Sequence, residues 1–149
     1  MSYSVDLPLS PAWTVEQDQY EEVDGAIITH LECHLPDKEG VDQVFLDLYV
    51  GDMPADTTAE DEAYANYAEI VGWDESEDEE ESPIAEWRFR RKSAYGFSGE
   101  CEDGSLMLLM CVEILKGALL IATVIAPDET GLGKWSRYIE EKLSVKAVK

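Results

Sequence analysis

Polar and apolar residues alternate with period two through most of the first fifty positions, the signature of half-buried strands. "YSVDLP" reads as a short first strand that Pro8 and Pro11 bring to an end, and "WTVEQDQYEEV" as a second. Asp24-Gly25 is a hairpin turn. "AIITHLECHLP" then sets Ile27, Thr29, Leu31, Cys33 and Leu35 on one face and Ile28, His30, Glu32 and His34 on the other. After the "PDKEG" turn, "DQVFLDLYVGDMP" sets Val44, Leu46, Leu48 and Val50 against Phe45, Asp47 and Tyr49.

The period changes at "ADTTAEDEAYANYAEIVGW", where Ala63, Tyr64, Tyr67, Ile70 and Val71 recur at helical spacing. Thr57 or Thr58 can cap this helix, acids fill its first turn, and Gly72 fits the position after its end. Seven acids follow within positions 74–81, and that density predicts a mobile, solvated loop over 74–82. "IAEWRFRRKSAYGFSGE" alternates Trp87, Phe89, Tyr95 and Phe97 against Arg88, Arg90 and Lys92 and reads as one strand. "SLMLLMCVEIL" and "ALLIATVIA", joined through Lys116-Gly117, form a buried hairpin. "PDETGLG" leads as a loop into a last helix whose face is Trp135, Tyr138, Ile139 and Leu143. The order predicts a single α+β domain over residues 1–149: an antiparallel sheet of about seven strands with two helices.

Charge changes the picture more than composition does. The 149 residues carry 33 acidic and 11 basic side chains, a formal charge of −22, on an ordinary hydrophobic fraction of 45%. That field repels phosphate backbones and anionic lipid surfaces, so neither nucleic acid nor membrane is expected as a partner. The apolar run 106–126 is long enough to span a bilayer, but Glu113, Lys116 and Gly117 at its middle make a span costly, and it is rejected. The N-terminus shows no basic and apolar leader, and three cysteines make no disulfide framework. Both features point to the cytoplasm.

"YSVDLPLSPAW", "AEDEAYANYAEIV" and "LLIATVIAPDETGLGKWSRYIEEKL" together resemble the opening, middle helix and ending of PsbP/Mog-fold domains. The resemblance implies an α+β sheet fold. It also implies a non-catalytic role, since members of that fold are mostly photosystem accessory proteins, an import factor that binds Ran, and effector chaperones. It carries over no catalytic residue, and the acidic run belongs to no pattern of that family.

"HLECH" is the first candidate for chemistry. On a strand, His30 and His34 stand roughly 13 Å apart, too far to share an ion held at about 2 Å from each nitrogen. His30 and Glu32, two apart on one face, are the feasible ligand pair, and a third ligand must come from a neighbouring strand. Cys33 points to the other face as a core residue. Cys101 stands among acids, which disfavour a thiolate, and Cys111 lies in the buried hairpin. "ETGLGKW" fails as a phosphate loop because Asp128 replaces the first glycine and Trp135 follows the lysine. The acidic run lacks the spacing of a calcium loop. No catalytic constellation emerges, and no cofactor is expected.

Four of the eleven basic residues fall within positions 88–92. On one strand, Arg88, Arg90 and Lys92 would make a basic stripe, either neutralised by acids on neighbouring strands or the 74–81 run, or open to an acidic segment of a partner. The leading expectation is therefore a non-enzymatic protein-binding module of the adaptor, chaperone or immunity type, with Arg88, Arg90 and Lys92 in its contact face. The alternative is a metal- or small-ligand-binding protein built on His30 and Glu32.

Overall fold

The computed structural model describes residues 2–36, 42–71 and 84–148. The "PDKEG" turn after Pro36, the Gly72 cap and the acidic run at 74–82 lie outside the described residues. The elements follow as β1 (Ser2–Asp6), β2 (Thr14–Glu21), β3 (Ile27–Pro36), β4 (Asp42–Asp52), α1 (Ala59–Val71), β5 (Ala85–Phe89), β6 (Lys92–Glu100), β7 (Leu106–Leu115), β8 (Ala118–Ala126), α2 (Glu129–Lys142) and β9 (Ser144–Val148). Seven strands form one antiparallel sheet in the order β2-β3-β4-β8-β7-β6-β5, and β1 pairs with β9 in a second, two-stranded one. This is an α+β fold.

The alternation along each strand divides the large sheet into two unequal faces. Leu31 and Cys33 of β3, Val44, Leu46, Leu48 and Val50 of β4, Met110 and Val112 of β7, and Leu120, Ala122 and Val124 of β8 are buried together. Ile139 and Leu143 from the α2 end and Tyr3 and Val5 of β1 close over them. Thr29 is the buried polar residue on this face; its hydroxyl donates to Tyr3 O at 2.8 Å and accepts from Gln19 Nε2 at 3.0 Å, tying β1 across β3. Turns hold the strands in register: Gly25 and Gly117 take φ of 89° and 80°, which glycine adopts without strain.

The opposite face is covered on one side only. Ala59 and Ala63 of α1 pack with Phe97, Leu109, Cys111 and Leu119 above β6, β7 and β8. Thr58 caps this helix: its hydroxyl accepts from Asp61 N–H at 3.1 Å, and the Asp61 carboxylate accepts from Thr58 N–H at 3.0 Å. The buried residues Ala59 and Ala63 lie in the first half of the helix, Tyr67 is half-buried against the Phe97 ring, and Ile70, expected on the buried face, is 52% exposed.

Three further expectations give way. The "IAEWRFRRKSAYGFSGE" segment is two strands, because Arg90 and Arg91 take φ of 52° and 68° and make a two-residue hairpin turn. The last helix starts at Glu129, inside the expected loop, because Asp128 Oδ1 accepts from Gly131 N–H at 2.7 Å and caps it. The chain also continues past this helix into β9, which pairs with β1.

Candidate functional site

Three strands build the uncovered half of the sheet. In the β2-β3-β4 register Glu16 faces Glu32 and Glu32 faces Asp47, one row of carboxylates; Asp18 faces His30 and His30 faces Tyr49 in the next. All of these side chains point away from the face carrying Leu31, Cys33, Leu46 and Leu48, because neighbours along a strand alternate.

His30 is the hub. Its Nε2 meets Asp47 Oδ1 at close hydrogen-bond distance, its Nδ1 lies 3.4 Å from Asp18 Oδ1, and its ring stacks on Tyr49 with centroids 4.1 Å apart and planes 2° from parallel. The imidazole and the Asp47 carboxylate are 17% and 18% exposed, whereas Asp18 is 70% exposed. Ligand-type atoms of His30, Glu32 and Asp47 all lie within 4.8 Å of one another. Glu16, Gln17, Asp18, His30 and Glu32 line a hollow of about 290 Å³ beside them. On the far side of Glu32, His34 Nε2 stands 3.5 Å from Glu32 Oε2, and its ring leans on Phe45.

The electrostatics of this half-sheet are one-sided. Burial, reinforced by the Asp47 charge, pushes the Tyr49 phenol up to about 12. Burial also pushes the Cys33 thiol up to about 12, with Asp47 and Glu32 adding to it, so Cys33 is a neutral core residue. Toward α1, Glu22, Asp24, Ile28, Tyr49, Glu62 and Ile121 line a second hollow of about 430 Å³. The Glu62 carboxyl there is raised, mainly by burial and then by Asp61 and Glu22.

The sequence-predicted pair His30 and Glu32 is thus brought together, and β4 supplies a third group. Alternation sets Asp47 on the face of Phe45 and Tyr49, and the pairing of β3 with β4, which alternation alone does not give, is what sets it opposite Glu32. Asp18 and Glu16 lie on β2, and the Asp24-Gly25 turn that the sequence does mark is the signal that could have set them opposite His30 and Glu32.

The basic stripe does not form. Arg88 ends up on β5, Arg90 in the turn and Lys92 at the start of β6, opposite Phe89. Arg88 Nη1 donates to Arg91 O within the turn at 3.1 Å. Arg90 reaches the end of α2: its Nε donates to Glu140 O and its Nη2 to Leu143 O, each at 2.5 Å, and its backbone N–H donates to the Glu140 carboxylate at 2.8 Å. Arg90 caps the end of α2, and Arg88, Arg90 and Lys92 do not share one strand.

No family model matches the chain, and comparison with curated proteins finds no match. Among solved structures, a protein from Bacteroides thetaiotaomicron VPI-5482 aligns over 97% of this chain with a TM-score of 0.50 and 12% identity. The two share a fold. This chain spans 45% of that protein's length. The extracellular domain of PknH from Mycobacterium tuberculosis aligns over 95% of this chain and 81% of its own, at 9% identity and a TM-score of 0.30, too low to indicate a shared fold. None of these comparisons bears on the resemblance to PsbP/Mog-fold domains. No helix among the described residues is long and apolar enough to cross a membrane.

Proposed function

We propose that the protein is a non-enzymatic binding module that docks a basic segment of a partner protein on the β2-β3-β4 half of its sheet. The observation that carries this reading is the composition of that half. Glu16, Asp18, Glu22, Asp24, Glu32 and Asp47 surround the rings of His30, His34, Phe45 and Tyr49, and no lysine or arginine stands on β2, β3 or β4. Among the described residues no helix packs over it. The aromatic rings offer contact area and the carboxylates offer complementarity to Lys and Arg.

Strand β2 adds a second element of the same reading. It forms one edge of the sheet and all its residues are exposed. Glu16, Asp18 and Glu21 along this edge repel a second copy of the same strand, which is how edges are protected against self-association. The same charges favour an extended basic strand added by β-augmentation. Three free thiols, two of them buried, suit a reducing compartment such as the cytoplasm.

The test uses a fluorescein-labelled ten-residue peptide alternating lysine and valine, followed by anisotropy in EDTA. The expected result is binding that weakens as salt screens the charges and that falls at least tenfold in a Glu16→Lys, Glu22→Lys double variant. Equal binding by the double variant, or equal binding of a glutamate–valine peptide of the same length, would refute the proposal.

A further inference from the structure

We propose that His30, Glu32 and Asp47 form a binding site for one divalent cation of the zinc class. The site is independent of the docking reading, since it needs no partner.

Three observations lead there. Directly opposed like charges on neighbouring strands are destabilising, yet Glu16, Glu32 and Asp47 stand opposite one another across β2, β3 and β4. The cation that would ordinarily balance such a row is missing from these strands, which carry no lysine or arginine. Two imidazoles, His30 beside Asp47 and Asp18 and His34 beside Glu32, balance one carboxylate each at most, and only when protonated, against the four acids Glu16, Asp18, Glu32 and Asp47. A divalent ion between Glu32 and Asp47 neutralises both.

The donor set also selects the ion. Calcium and magnesium prefer all-oxygen sites, whereas a nitrogen donor with two carboxylates suits zinc, cobalt, nickel or manganese. Cys33 lies on the other face and is buried, so no thiolate joins the set. In a tetrahedral zinc site with bonds of about 2.0–2.2 Å, donor atoms stand about 3.3 Å apart. The three donor atoms all lie within 4.8 Å of one another; to take up an ion, Glu32 would swing inward and the hydrogen-bonded His30 Nε2 and Asp47 Oδ1 would part to admit it. Three protein donors leave the fourth position to water.

The two nitrogens of His30 divide the work. Nε2 lies on the Asp47 side, where the ion would sit, and Nδ1 faces Asp18 at 3.4 Å. A ligating histidine almost always donates its other N–H to an oxygen that fixes its tautomer and orientation. Asp18 is therefore the positioning residue of the site, and Tyr49 stacked on the ring restricts its rotation.

Titration of the metal-free chain with ZnCl₂ by isothermal calorimetry in 150 mM NaCl, about physiological ionic strength, tests the site. The expected result is one ion per chain, with affinity lost at least tenfold in His30→Ala and in Asp47→Asn. It should be retained when the acids of positions 74–81 are replaced by their amides. Unchanged binding in a folded His30→Ala variant, or loss on neutralising the 74–81 run, would overturn the proposal. A measurement on the unmodified chain guards against variants that do not fold. The two histidines give separate side-chain nitrogen signals, and zinc should shift His30 Nε2 in long-range proton–nitrogen spectra. A shift confined to His34, or none, would overturn it equally.

Discussion

Replacing Arg90 by alanine isolates a helix cap that lies fifty residues away in sequence from the helix it terminates. The last four carbonyls of a helix have no intrahelical partner, and here the Arg90 guanidinium takes those of Glu140 and Leu143. A hydrogen bond from a charged donor contributes about 1.5–3 kcal/mol when sheltered, and less where water competes. Arg90 is exposed, so about 1 kcal/mol for each of two bonds is the appropriate scale, with a cation at a helix C-terminus included in it. Arg90→Ala should thus cost about 2 kcal/mol, or about 4–8 °C in melting temperature for a chain of this size. The φ of 52° at this position provides an internal control. Arg90→Gly also loses the guanidinium but relieves the left-handed backbone, worth about 1 kcal/mol, and should be the milder of the two. Urea unfolding followed by tryptophan fluorescence gives both values. If Arg90→Ala lies within 0.5 kcal/mol (about the scatter of ordinary surface substitutions) or costs no more than Arg88→Ala, the capping role is refuted.

Two other outcomes follow from buried groups. Asp52 accepts from the Tyr3 hydroxyl at 2.6 Å, and this bond holds its carboxyl below the usual range. A depressed folded-state value means stability present above the unfolded value near 3.8 and lost as pH falls through the folded one. Tyr3→Phe should therefore cost about 1 kcal/mol at neutral pH and show a shallower loss of stability below pH 4, as urea titrations across that range would reveal. Burial pushes the thiols of Cys33 and Cys111 up to about 12, so at pH 8 a disulfide reagent should label one thiol per folded chain, Cys101; rapid labelling of two would contradict the core assignment.

The parts of the fold legible in the sequence are those where burial and period coincide. Strands β3 and β4 alternate strictly, so the sides occupied by Leu31, Cys33, Leu46 and Leu48, and by His30 and Glu32, were readable before any pairing was known. The β5-β6 turn was not, because arginines at left-handed positions lack the glycine or asparagine that marks such a hairpin. Glycines at positions 131 and 133 concealed the first turn of α2, where the Asp128 cap outweighs their poor propensity. Strand β9 is short and half-exposed, and only its partner β1 reveals it. The site was half legible: His30 and Glu32 share a strand, while Asp47 depends on register, a property of two strands and the connection between them.

The pairing of β1 with β9 has a consequence for how the domain can be attached to other chains. Ser2 lies opposite Val148, so the two ends of the described chain leave side by side. They do so behind the large sheet, where Tyr3 and Thr29 join β1 to the face opposite His30. A host protein interrupted by this domain would need to open only a gap of about 5 Å, the spacing of two neighbouring strands. Whatever is fused at either end departs from the rear, which leaves the acidic half-sheet facing outward like the palm of a hand held at the wrist.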